Sequence, residues 1–171
     1  MRARKSIGLD LYHPIGPDRD REILYGSPEL IKGIGTNQCA ISDSAHPMVG
    51  TYGLGPCIAI AGLDKETNTA FLSHNIPVKN LDDLNGPIFD ELEHRGIDKN
   101  NLDYYLIGGN ERYSKHLDDI KNYLNTKVKN PKIVYEDTIE KNDPKAYGKS
   151  FILDSRDGKF YAHNGLEVMG H

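Results

Sequence analysis

The chain has 171 residues, a formal net charge of −4, 37% hydrophobic residues and 27% charged residues. This length typically forms one domain that buries a core without crosslinks, and the acidic balance argues against a nucleic-acid-binding protein. No apolar run approaches the ~20 residues that span a bilayer, and the basic N-terminus is not followed by a signal-peptide core. We therefore expect no membrane insertion and a cytoplasmic protein, with non-classical export as the alternative. Two cysteines, Cys39 and Cys57, are too few for a disulfide framework, so both thiols should be free.

Residues 1–45 show the least regular pattern and are predicted to be an N-terminal extension packed on a domain of residues 46–171. One strand is predicted in the extension, at Glu22–Tyr25. From residue 48 the pattern predicts seven strands and two helices in the following order. They are strand Met48–Tyr52, strands Cys57–Leu63 and Thr69–His74 as a hairpin, a helix from Asn80 to about Gly96, strand Leu102–Ile107, helix 112–127, and strands Lys132–Tyr135, Lys149–Leu153 and Lys159–Ala162.

Punctuating residues support the first helix. Asn80 is a good N-cap residue, Pro87 would kink the helix, and Gly96 suits its C-terminal end. Two helices among several strands predict an α+β fold: a layered α/β sandwich with mixed or antiparallel sheets.

The predicted hairpin carries the two residues of greatest chemical interest. Cys57 follows a glycine turn at the start of the first strand, and His74 ends the return strand, so we expect them to be neighbours. A cysteine nucleophile needs such a partner, because the thiolate is the reactive form and a neighbouring imidazolium lowers the thiol pKa below ~8.5. Both residues also have a plain structural interpretation, Cys57 as a small buried side chain and His74 as a surface residue.

The residues before Cys57 supply further candidates. Thr51 could orient the imidazole, although the sequence alone favours an ordinary strand threonine. The amides around Gly53 and Gly55, and that of Cys57, could face a developing oxyanion. Pro56 has no N–H to offer, and a plain turn is the alternative for the whole segment.

Two other patterns indicate ligand sites only weakly. Gly148-Lys149-Ser150 resembles the end of a phosphate loop, but Asp143 stands where the first glycine is required, so we set it aside. A zinc site is an alternative, although the spacing matches no recurrent pattern and no Cys-x-x-Cys occurs. Its ligands would be Cys39, His46, Cys57 and His74.

Two segments together resemble the CheD family, the chemoreceptor glutamine deamidases of bacterial and archaeal chemotaxis. They are Thr51-Tyr-Gly-Leu-Gly-Pro-Cys57-Ile-Ala-Ile and Leu72-Ser-His74-Asn-Ile-Pro77. The family has a threonine, then Gly-Leu-Gly-Ser-Cys, an apolar strand, and a histidine shortly before Leu-Pro. The order and intervals of Thr51, Cys57 and His74 agree with the catalytic trio of that family.

The likeness continues downstream and covers roughly residues 48–163. The segments that are similar to family motifs are Leu106–Asn110, the helix Arg112–Leu124, Ile133–Asp137 and Gly148–Ser150. Several positions depart from the family: Pro56 replaces a serine, His74-Asn75-Ile76-Pro77 is shortened, and Thr138–Ala146 replaces a Gly-Gly-Asn-Arg run. About 45 N-terminal residues have no counterpart in it. These departures favour the same chemistry on a different substrate, and a toxin-like or housekeeping role is equally open, since cytotoxic necrotizing factor shares the fold.

The resemblance implies a cysteine-dependent amidohydrolase that deamidates glutamine side chains of a protein. In that interpretation Cys57 forms a thioester, His74 is the general base and acid, and Thr51 orients the imidazole. The partner would be a protein with an accessible glutamine, and neither a metal nor an organic cofactor is expected. The alternatives are another cysteine hydrolase, acting on a small-molecule amide or a peptide bond, and a catalytically silent binding module on the same fold.

Overall fold

The computed structural model describes residues 28–77, 79–138 and 149–163, and these form nine strands and two long helices. In chain order the elements are β1 (Ile31–Ile34), β2 (Cys39–Ile41), β3 (Met48–Leu54), β4 (Ile58–Asp64), β5 (Thr69–Asn75), α1 (Leu81–His94), β6 (Asp103–Gly108), α2 (Ser114–Lys127), β7 (Lys132–Thr138), β8 (Lys149–Asp154) and β9 (Phe160–His163). Three short 3-10 turns, Pro28–Leu30, Lys99–Asn101 and Glu111–Tyr113, precede β1, β6 and α2 respectively.

The strands form two mixed sheets. Sheet A has the order β1-β3-β8-β9, with β1 parallel to β3 and the other pairs antiparallel. Sheet B has the order β2-β5-β4-β6-β7, with only β6 and β7 parallel. This is an α+β layered fold with mixed sheets and two main helices, as the sequence predicted.

Sheet B is the middle layer, because its two faces carry separate apolar clusters. One face packs against both helices, and representative members of that cluster are Ile60, Phe71, Leu92 and Leu117. The other face packs against sheet A, and its cluster includes Ala59, Leu72, Val49 and Phe151. Side chains alternate between the faces of a strand, so every second residue of β4 and β5 faces sheet A.

The first helix begins and ends where its sequence predicts. Asn80 is the N-cap, and its side chain accepts a hydrogen bond from the amide of Asp82 at 2.9 Å. Pro87 lies inside the helix, and Gly96, just beyond its end, has a φ of +76°. The hairpin of β4 and β5 and the strand β6 are likewise confirmed, with bounds that differ by one residue.

The sequence did not predict β1 and β2. Both precede residue 46, yet β1 pairs with β3 in sheet A and β2 pairs with β5 in sheet B. The strand predicted at Glu22–Tyr25 lies outside the described residues. The predicted domain boundary at residues 45 and 46 falls between β2 and β3, so each sheet takes one strand from the segment before it.

The second helix starts at Ser114 rather than at residue 112, because Glu111–Tyr113 form a 3-10 turn. Within the described ranges, neither helix combines the length and the apolar character needed to cross a membrane.

Candidate active site

Cys57 and His74 share the face of sheet B that is turned towards sheet A. In the antiparallel pair of β4 and β5, Ala59 is the direct partner of His74, and Cys57 lies two residues before Ala59. Cys57 also belongs to the same apolar cluster as Ala59 and Leu72. Diagonal neighbours in such a pair lie about 7–8 Å apart, within reach of longer side chains. The register therefore makes Cys57 and His74 diagonal neighbours, although no hydrogen bond joins them in the described part of the chain.

A hydrogen bond between the sheets fixes the ring of His74. Thr51 Oγ1 lies 2.8 Å from His74 Nδ1 and 2.8 Å from the carbonyl oxygen of Ile34. A hydroxyl has one proton, and a carbonyl can only accept, so the arrangement that satisfies both contacts has Thr51 donating to Ile34. His74 must then donate its Nδ1–H to Thr51 Oγ1. This leaves the lone pair on Nε2, which is the tautomer that a general base requires.

The turn between β1 and β2 holds the backbone of His74. The amide of Asn37 donates to the His74 carbonyl at 2.9 Å, and the amide of His74 donates to the Gln38 carbonyl at 2.9 Å. Asn37 adopts a φ of +58°, a left-handed conformation that asparagine tolerates better than most residues. Since Ile34 accepts from Thr51, one short segment positions both polar members of the site.

Polar contacts from the helices fix the end of β5 next to His74. His116 of α2 donates its Nε2–H to the carbonyl of Asn75 at 3.0 Å. On the helix side of the sheet, Asn85 of α1 donates to Asn75 Oδ1 at 2.7 Å and accepts from Ser73 Oγ at 2.6 Å. All of these residues are buried, so the helix layer also holds the strand that carries His74.

His74 is buried as a neutral imidazole. Its side chain is 1% exposed, and Nε2 has no hydrogen-bond partner among the described residues. Burial lowers the pKa of His74 from 6.5 to about 4, because the charged ring would lose its hydration. The ring is therefore an unprotonated base at neutral pH, with Nε2 available to accept a proton.

Cys57 is a buried thiol, 8% exposed, and not a preformed thiolate. Burial raises the pKa of the Cys57 thiol above its ordinary value, for the same reason that it lowers that of His74. The sequence predicts a neighbouring imidazolium that lowers the thiol pKa. The structure instead has a neutral imidazole and a thiol whose pKa is raised by burial. The two groups rest as a thiol and a neutral imidazole, so a nucleophilic reaction of Cys57 would require transfer of its proton to a base such as Nε2.

The turn before Cys57 is held by the corner at the end of β6. The amide of Gly109 donates to the carbonyls of both Gly55, at 2.9 Å, and Cys57, at 3.0 Å. A Cβ on Gly108 would lie 2.3 Å from the Cys57 carbonyl oxygen, and its φ of +111° also requires glycine. These two glycines let β6 approach the turn closely enough to fix it.

The predicted oxyanion residues lie at the end of β3 and in the turn that follows it. Gly53 is exposed, has a φ of +76° and lies in β3, where the pairing with β8 shifts register between Thr51 and Leu54. Gly55 contributes a carbonyl to the corner, and Pro56 has no N–H. The amides of Gly55 and Cys57 make no backbone hydrogen bond within the described ranges, so both are candidate donors to an oxyanion.

An ion pair joins the two sheets near the turn. Lys149 lies in β8, where it pairs with Leu54 of β3. Its ammonium group donates a hydrogen bond to Asp137 Oδ1 of β7 at 2.6 Å. Lys149 also donates to the Asp137 carbonyl at 3.1 Å, and it is 2% exposed. Lys149 thus forms a buried ion pair between the two sheets.

The described residues do not form a metal site. No group of three or more His, Cys, Asp or Glu side chains among them is placed to hold an ion. The alternative zinc site of Cys39, His46, Cys57 and His74 therefore has no counterpart in this part of the chain. His46 instead contacts Asp43 at 3.2 Å.

Sequence reasoning brought together Thr51, Cys57 and His74 but missed the residues that position them. Ile34, Asn37 and Gln38 act through their backbone groups, and a backbone contact leaves no residue-type signal to read. Asn110, next to the Gly109 corner, has a buried Oδ1 without a partner among the described residues, and in the sequence only the resemblance to CheD motifs marks this segment. In comparisons with known proteins, neither a family model nor a curated protein matches this chain.

Proposed function

We propose that the protein is a cysteine-dependent amidohydrolase that converts glutamine side chains of a protein substrate to glutamate. The observation that carries the proposal is the hydrogen bond from His74 Nδ1 to Thr51, which leaves a buried Nε2, unpaired among the described residues, on the face that bears Cys57. Thiol-based acyl transfer requires at least a base near the thiol, and the register of β4 and β5 makes His74 and Cys57 diagonal neighbours. We take protein glutamine as the substrate because the spacing of Thr51, Cys57 and His74 resembles that of the CheD deamidases.

The reaction proceeds in two halves. In the first, His74 Nε2 takes the thiol proton while Cys57 Sγ bonds to the amide carbon, and the oxyanion faces the Cys57 amide. The amide nitrogen then takes the proton from Nε2 and leaves as ammonia, so a thioester remains. In the second half, water gives a proton to Nε2 and attacks the thioester. The acid leaves, and the proton on Nε2 returns to the sulfur.

The test is release of ammonia. The probes are N-benzyloxycarbonyl-glutaminyl-glycine and unfolded casein, which presents many accessible glutamines. Ammonia would be measured by a coupled dehydrogenase assay, and the conversion of glutamine to glutamate by mass spectrometry. We expect activity in the wild type and in Cys39→Ser, a matched cysteine control outside the site, and none in Cys57→Ser or His74→Ala.

A catalytically silent binding module is the second candidate. The raised pKa of the Cys57 thiol and the absence of a Cys57–His74 hydrogen bond favour it. In apo enzymes such catalytic bonds often tighten only with substrate. Absence of ammonia from both probes would support the binding module, whereas shortened casein chains would indicate a peptide hydrolase.

A further inference from the structure

Asn110 carries the second buried polar atom without a partner. Among the described residues, Oδ1 of Asn110 shares this property only with Nε2 of His74. Buried polar atoms are nearly always hydrogen-bonded, because an unpaired one loses its hydration and gains nothing in return. The His74 atom is explained by the reaction, and the Asn110 atom calls for an explanation of its own.

Asn110 lies beside the Cys57 turn. It directly follows Gly109, whose amide is 3.0 Å from the Cys57 carbonyl oxygen and 2.9 Å from that of Gly55. The preceding residue, Gly108, is so close to Cys57 that a Cβ there would overlap the carbonyl. Asn110 is therefore one residue away from direct backbone contact with the proposed nucleophile.

Local structure does not account for the side chain of Asn110. The residue occupies the N-cap position of the 3-10 turn Glu111–Tyr113, where an asparagine usually accepts a bond from a backbone amide. Here the side chain makes no capping bond, and the Tyr113 amide instead donates to the Asn110 backbone carbonyl at 3.2 Å. The turn therefore leaves the side-chain oxygen of Asn110 without a hydrogen-bond partner among the described residues.

We propose that Asn110 Oδ1 accepts an N–H of the primary carboxamide that the site binds, and so selects an amide over an ester or a carboxylate. A primary carboxamide offers one acceptor oxygen and two N–H donors. Its oxygen suits the free amide of Cys57, and one of its N–H groups suits Asn110. An ester has no N–H to donate, and the oxygens of a carboxylate product would face another acceptor. The substrate class rests on the proposed function, and the recognition of an amide beside Cys57 is tested separately.

The test compares two reagents of similar size that alkylate Cys57. Iodoacetamide carries a primary carboxamide, and methyl iodoacetate has no N–H. In both reactions Sγ bonds to the CH2 carbon, iodide leaves, and the thiol proton passes to His74. Rates would be followed by intact mass at mildly alkaline pH in a Cys39→Ser background.

We expect Asn110→Ala to lower the iodoacetamide rate by about fivefold to tenfold, the effect of one hydrogen bond, and to leave the methyl iodoacetate rate unchanged. Asn110→Asp keeps an acceptor oxygen and should retain the preference for the amide reagent. Asn125→Ala, which removes an exposed asparagine of α2, should alter neither rate. Equal changes with both reagents, no change with either, or an unreactive Cys57 would overturn the proposal.

A second measurement needs no variant. Acetamide in excess should slow alkylation of wild-type Cys57 by methyl iodoacetate, and methyl acetate should not. Equal protection by the two would also overturn the role of Asn110. Ammonia release reports on the proposed function alone. Amide-selective alkylation without ammonia would therefore retain Asn110 as an amide-binding residue and refute the deamidase, and the reverse result would refute Asn110 only.

Discussion

Burial of His74 as a neutral ring should make the folded protein less stable in mild acid. Its pKa in the fold is about 4, against 6.5 for an ordinary histidine. Below pH 6.5 the unfolded chain binds a proton at this residue, whereas the folded chain does so only near pH 4. The free energy of unfolding should therefore fall as the pH drops through this window. From the two pKa values, His74 alone should remove about 2 kcal/mol by about pH 5 and about 3 kcal/mol by about pH 4.

Urea unfolding between about pH 7.5 and about pH 5 measures this effect. His74→Gln removes the titrating group, so this variant should lose about 2 kcal/mol less than the wild type over the interval. His94→Gln, which replaces an exposed histidine of α1, should follow the wild type. Burial also lowers the pKa of His116, so part of the acid sensitivity should remain in both variants.

Equal acid sensitivity in the wild type and His74→Gln would refute the reasoning. Titration of the His74 ring by NMR provides a check without a substitution. A ring that titrates near its ordinary pKa of 6.5 would mean that burial does not disfavour its charged form, and the predicted loss of stability in acid would be refuted.

Three further predictions concern the turn and its supports. Gly108→Ala should destabilise the protein by about 3 kcal/mol in urea unfolding, since the new Cβ meets backbone, whereas Gly96→Ala, which meets nothing within 4 Å, should cost about 1 kcal/mol. Lys149→Met removes the ammonium 2.6 Å from Asp137 Oδ1 and should cost about 3 kcal/mol in the same assay; a loss below about 1 kcal/mol would contradict a buried ion pair. Because burial raises the pKa of Cys57, its alkylation rate, followed by peptide mapping, should still be rising where an ordinary thiol levels off, and a plateau below neutral pH would count against this.

The hairpin and the first helix could be predicted because their signals are local. The apolar run of β4, the turn residues after it and the return strand β5 are contiguous in sequence, so the proximity of Cys57 and His74 follows from strand alternation alone. Asn80 caps its helix through the neighbouring amide of Asp82, a contact that spans two residues. Such features depend on a few adjacent positions, which a single sequence displays.

The strands β1 and β2 could not be predicted because their partners are distant or their pattern is too short. Ile31–Ile34 is four residues with a glycine inside, and it pairs in parallel with β3 only after β2 has intervened. Cys39–Ile41 has three residues, too few to show alternation. The segment from Ile34 to Gln38 bonds the backbone of His74 and the hydroxyl of Thr51. The least regular part of the sequence therefore contributes contacts that position the imidazole.

Pro56 is the departure from the CheD sequence pattern that bears most directly on the proposed chemistry. The carbonyls of Gly55 and Cys57 both accept from the one amide of Gly109, so the β6 corner, and not residue 56, holds the turn in place. A proline at this position removes an amide that the turn does not need for its own hydrogen bonds. In the proposed reaction this proline would also remove one possible donor to the oxyanion. Loss of one oxyanion-hole donor slows acyl-transfer hydrolases by about 100-fold to 1,000-fold, so we expect the proposed amidohydrolase activity to be slow.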